Sequence, residues 1–126
     1  MLEVRNLTRG SEVAVRVRRA DRAWSRMVGL LGRRSLAEDE GLFLTPCTSI
    51  HTFFMRFPID SLYLDREHVV VKAVKRLRPF RVSACLRAAH SILELPAGAI
   101  EASGTQVGDR LTLASSGSGS PPSSDR

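Results

Sequence analysis

Four side chains able to do chemistry, Cys47, His51, Arg56 and Asp60, lie in a stretch that is otherwise apolar and aromatic, residues 46–65. The same stretch holds Phe53, Phe54 and Phe57, three of the five phenylalanines, and the single tyrosine, Tyr63. A segment this hydrophobic belongs inside, where an unpaired charge is costly. His51, Arg56 and Asp60 must therefore satisfy one another or face a pocket. Cys47, His51 and Asp60 are the residue types of a thiol nucleophile, its base and the group that orients the base, and a thiolate beside an imidazolium is activated. Yet no glycine-rich turn beside Cys47 offers an oxyanion site, and no local signature of a cysteine hydrolase surrounds it. The competing reading packs Cys47 in the core and hydrogen-bonds His51 to the backbone.

A metal would draw on Cys47, His51 and Asp60, or on His90 with Glu94. The latter pair meets only on a helix, whereas Ser91 to Leu95 reads as a strand, which would hold the two far apart. No metal or cofactor is expected. Arg56 and Asp60 can meet through a reverse turn over Phe57-Pro58-Ile59, because a buried guanidinium needs a carboxylate. The pair is then either a brace of the turn or a fork, oriented by Asp60, offered to an anionic or polar ligand. Glu94, between Leu93 and Leu95, either faces solvent or reaches into the same pocket, and Asp109 after Gly108 reads as a turn residue. The candidate ligand-binding set is thus His51, Phe54, Met55, Arg56, Asp60 and Glu94, a few polar groups converging in a partly apolar cleft. No phosphate-binding loop, dinucleotide glycine pattern, HExxH or serine elbow is present.

The elements that must position these residues are mostly strands. Leu2, Val4 and Leu7 alternate with charges, as do Val13, Val15 and Val17, and Thr8-Arg9-Gly10-Ser11 turns between the two runs, so a hairpin with one wet face is predicted. Asp21 caps a predicted helix carrying Trp24, Met27, Val28 and Leu31 at helical spacing, ended near Gly32. A capping box from Ser35 to Glu38 predicts a further helical turn. Leu42 to Leu44, Thr52 to Met55, Ile59 to Leu64, Val69 to Val74, Ser91 to Leu95 and Arg110 to Leu113 read as strands, and Ala99 to Ser103 as a helical turn. The fold class expected is mainly β, a compact sandwich or partly closed barrel of seven or eight short strands with one short helix.

Residues 1–113 are expected to form one globular domain. Residues 114–126 carry no large apolar side chain, and a flexible Ser/Gly/Pro tail is expected there. No apolar run is long enough to cross a bilayer as a helix. Glu3, Arg5 and Arg9 interrupt any hydrophobic signal core, and two widely separated cysteines suit a reducing compartment, so a cytoplasmic monomer is expected. The net charge is +6, with nine arginines in residues 1–36 and seven basic residues in 66–87 against Glu67 alone. Such a bias suits an anionic surface, and the Arg-rich hairpin is one candidate for it. Specific nucleic-acid recognition is disfavoured, because the aromatics are not interleaved with the arginines as a stacking platform requires.

Five motifs occur in order: Met27-Val28-Gly29-Leu30-Leu31-Gly32-Arg33, Glu40-Gly41-Leu42-Phe43-Leu44, His51-Thr52-Phe53-Phe54-Met55-Arg56-Phe57-Pro58-Ile59-Asp60, Leu93-Glu94-Leu95-Pro96-Ala97-Gly98 and Gly108-Asp109. Together they resemble the bacterial and archaeal domain-of-unknown-function 192 family over about residues 12–113. The resemblance implies a small mainly β fold and no established activity. With the residues themselves, it leaves a non-enzymatic binding or accessory module, for a small polar or anionic ligand or a protein partner, as the leading expectation. A hydrolase-like enzyme using Cys47, His51 and Asp60 or a bound metal stands as the alternative, and association with an anionic surface as the second.

Overall fold

A computed structural model describes residues 1–20, 37–51 and 57–115 of the chain. Alternation in the first twenty residues produces the predicted hairpin, β1 (Leu2–Asn6) and β2 (Ser11–Ala20), joined through Gly10, whose φ of 70° suits a residue without Cβ. The chain then supplies β3 (Glu40–Leu44), β4 (Ser49–His51), β5 (Ile59–Leu64), β6 (Val70–Leu77), β7 (Val82–Ala84), β8 (Ser91–Pro96), one short helix α1 (Ala99–Ser103) and β9 (Leu111–Ser115). Seven strands form one sheet in the order β6-β5-β8-β3-β2-β1-β9, and β4 and β7 pair separately. All neighbours in the large sheet run antiparallel except β2 and β3.

The sheet curls until its two edges touch. Val69 bridges Arg110, Val70 donates to the Asp109 carbonyl at 2.8 Å, and Leu111 donates to the His68 carbonyl at 2.9 Å. The result is the expected mainly β architecture, in the form of a half-barrel. Its concave face holds Val4, Val17, Phe43, Leu62, Leu64, Leu93 and Leu95, closed at one end by Ile100 of α1. Gly41 permits this packing: a Cβ there would stand 3.1 Å from the Glu94 carbonyl oxygen and 3.1 Å from Leu95 Cδ2.

The other face holds Leu42, Leu44, Ile59, Tyr63 and Ile92, and is covered by Ile50 of β4 together with Cys47, Phe57 and Cys85. Strand β5 is consequently buried on both sides, as is most of β8. β4 and β7 were not anticipated, since three-residue strands carry too little pattern to be seen. The predicted helix from Asp21, the first two residues of the Ser35 to Glu38 turn, the predicted strand Thr52 to Met55 and the Ser/Gly/Pro tail beyond Ser115 lie outside the described residues. Among the described residues no helix is long and apolar enough to cross a membrane.

Candidate functional site

Period-two alternation decides which polar residues can meet. In the β5–β8 ladder Asp60 stands opposite Leu95, Ser61 opposite Glu94, Leu62 opposite Leu93 and Tyr63 opposite Ile92. Asp60 therefore points with Leu62 into the concave face, while Ser61, Tyr63 and Glu94 point together to the outer one. There Asp60 is fully buried and spends both oxygens on backbone amides. Oδ1 accepts from Arg76 N at 2.9 Å, and Oδ2 accepts from Gly98 N at 3.1 Å and Ile100 N at 2.9 Å. Charge-assisted bonds of this kind are the strong ones, and these tie β5 to β6 and to the start of α1.

Glu94 has the opposite circumstances. On β8 it lies between Leu42 of β3 and Ser61 of β5, and is 6% exposed. No side-chain hydrogen bond reaches its carboxyl from the described residues, and burial pushes its pKa up to about 7. Across the ladder Ser61 Oγ is also buried without a partner among the described residues. A buried hydroxyl without a partner facing a nearly buried carboxyl inside an apolar layer is unusual, because such groups are nearly always paired.

Around them the polar atoms continue. Tyr63 donates its hydroxyl proton to Ser83 Oγ of β7 at 2.7 Å. Burial raises the Tyr63 pKa, the Ser83 bond opposes this, and the neighbouring Cys47, Cys85 and Glu94 add to the rise. Lys72 Nζ sits 5.5 Å above the Tyr63 ring and donates to the Ala84 carbonyl at 2.7 Å, which anchors β7 over this face. Both cysteines are half-buried and outside any disulfide, and Cys47 Sγ donates to the Ser49 carbonyl at 3.1 Å.

The sequence-derived candidates thus fall into separate places. Asp60 and Cys47 are on opposite faces of the sheet, so Asp60 is not positioned to orient a base for that thiol. Asp60 and Glu94 likewise do not share a pocket. The His51 backbone pairs with Val82 at the end of β4, while its side chain and Phe54, Met55 and Arg56 lie outside the described residues. His90 precedes β8, and along a strand four residues span about 13 Å, so it does not join Glu94 as a ligand pair. Among the described residues no group of three or more His, Cys, Asp or Glu could hold a metal ion. Asp109 is more than a turn residue: it accepts from Arg9 Nε at 2.9 Å, Asn6 Nδ2 at 3.0 Å and Gln106 N at 2.9 Å.

Sequence reasoning missed Ser61, Tyr63 and Ser83. The first two were within reach, because a serine two residues before a tyrosine in an otherwise apolar strand shares its face. Ser83 carries no such signal, since only tertiary structure brings β7 over Tyr63.

Comparison with known proteins agrees with the architecture. The DUF192 sequence profile, described as "Uncharacterized ACR", matches residues 4–113. A UPF0127 protein of Pyrococcus furiosus is 37% identical over 111 residues, covering 84% of this chain and 93% of its own. A second UPF0127 protein, from Thermococcus sibiricus, is 33% identical and covers 84% of this chain and 71% of its own. Among solved structures, a Sinorhizobium meliloti 1021 protein named as a candidate transcription regulator superposes with a TM-score of 0.77 at 22% identity, covering 89% of this chain and 91% of that one. A protein of unknown function from Novosphingobium aromaticivorans gives 0.69 at 17% identity, over 88% and 82%. At these identities the two structures establish a shared fold and nothing about activity.

Proposed function

Since the chain belongs to the DUF192 family, for which no activity is established, we propose from the geometry of its outer sheet face that it is a non-enzymatic binding module for a small polar ligand. One observation carries this reading: the Glu94 carboxyl is held in an apolar layer beside the orphaned Ser61 hydroxyl, with Tyr63 next to both. A fold gains nothing by burying a carboxyl in this way, so the cost points to use. A carboxyl and a hydroxyl together suit a ligand that offers hydrogen-bond donors, such as an amine, an amide or a polyol. An anionic ligand is disfavoured by the fraction of Glu94 that is ionised near neutrality. His51, Phe54, Met55 and Arg56 stay in the proposal on the sequence, since the flanking Ile50 and Phe57 both pack on this face. In this reading residues 1–113 act as one unit and the tail takes no part.

The test is thermal-shift titration of the protein and its Glu94→Gln variant against a panel of small amines, amides and polyols. A compound that raises the wild-type midpoint should lose roughly tenfold or more in affinity on the variant, the cost of removing one charged hydrogen-bond partner. Identical responses of the two proteins across the panel would sink the proposal.

A further inference from the structure

β7 has two sides with different employment. Ser83 points inward to Tyr63, so alternation turns Val82 outward, where it is 66% exposed. Phe80, just before it, is 62% exposed, and Leu86, just after, is 73% exposed. Phe80 is held in the left-handed region, at φ 61°, which bulky side chains rarely adopt. Three large apolar side chains presented to water within seven residues of chain are not the scattered kind that needs no comment.

Their surroundings define what could cover them. Arg78, Arg81 and Arg87 are exposed on the same segment, and no acidic residue occurs between Glu67 and Glu94. Charge complementarity therefore favours an anionic occupant at β7. Two of the three apolar residues are aliphatic, which gives bases little to stack on but suits insertion among acyl chains. Arginine stems can lie along such a layer while their heads reach phosphate.

We propose that the segment from Arg78 to Arg87 is a docking surface for an anionic lipid bilayer, with Phe80, Val82 and Leu86 entering the interfacial layer and Arg78, Arg81 and Arg87 meeting headgroup phosphates. This goes beyond small-ligand binding and is independent of Glu94, because inward Ser83 and outward Val82 belong to opposite sides of β7.

The experiment is co-sedimentation of the full chain with vesicles of phosphatidylcholine alone and with vesicles containing about one-third phosphatidylglycerol. Binding to the anionic vesicles only is expected. Arg78→Gln/Arg81→Gln/Arg87→Gln should weaken it roughly a hundredfold, and Phe80→Ser/Leu86→Ser at least about tenfold, in proteins whose circular dichroism is unchanged. The hairpin variant Arg5→Gln/Arg18→Gln should stay within about twofold of wild type. Three results would each overturn the proposal: no sedimentation with anionic vesicles, equal loss in the hairpin variant, or binding indifferent to Phe80→Ser/Leu86→Ser. Tight binding of single-stranded RNA that depends on the arginines but not on Phe80 and Leu86 would overturn it in favour of a general polyanion surface.

Discussion

At the scale of single residues, neighbouring carboxylates show how environment assigns roles. Asp60 and Glu94 are both buried acids on adjacent strands, yet one is satisfied by three amides and the other by none of the described residues. Glu94 therefore makes stability depend on pH in a sign opposite to the usual carboxylate. Its folded pKa of about 7 lies above the ordinary 4.5, so the unfolded chain releases the proton first and stability falls as pH rises from the lower value to the upper. Glu94→Gln removes that dependence. The variant should match wild type near the ordinary carboxylate pKa and become more stable by up to about 3 kcal/mol above neutrality, as read by urea unfolding across pH. A constant difference at every pH would mean that Glu94 is not held protonated by burial. His68, whose pKa burial lowers, adds a background common to both proteins and cancels in the difference.

The element scale is where Asp60 acts. Its amide partners belong to β6 and to the entry of α1, so one carboxylate fixes where a strand bends and where a helix starts. Asp60→Asn keeps one acceptor oxygen and loses the charge, and should destabilise the domain by roughly 2–3 kcal/mol while leaving any ligand affinity at Glu94 intact. A loss of ligand affinity at unchanged stability would instead return Asp60 to the binding site. Why the sequence did not separate these roles is instructive. Alternation within Ile59 to Leu64 was readable, and so was the strand carrying Glu94. Which strand pairs with β5, and in what register, was not. A one-residue slip would have put Asp60 and Glu94 on the same face, and register is settled by the whole curled sheet. The hairpin, β3, β5, β8 and α1 were legible because each carries its own apolar periodicity. β4 and β7 were not, because they exist only by pairing with each other above Tyr63.

At the scale of the whole molecule, the half-barrel is fastened where its ends meet. Asp109 gathers Arg9, Asn6 and the backbone of Gln106, which joins the hairpin turn to the start of the last strand, and the Arg9 hydrogen bond foremost brings its pKa down to about 2. Here the sign is the ordinary one: the stabilisation is present above the usual carboxylate range and is lost as pH falls through about 2. Asp109→Asn should lower the thermal midpoint at neutral pH, and the gap to wild type should close on acidification towards that value. A gap that persists unchanged would show that Asp109 acts through packing rather than charge. The pairing beside this clasp has a consequence for synthesis. β1 is hydrogen-bonded to β9 from Leu2 opposite Ser115 to Asn6 opposite Leu111, so the first strand of this domain borders its last. During synthesis β1 can pair with β2, but its other edge stays open until β9 has been made. The domain can close only once β9 has emerged, and until then the growing chain exposes a sheet edge to its neighbours.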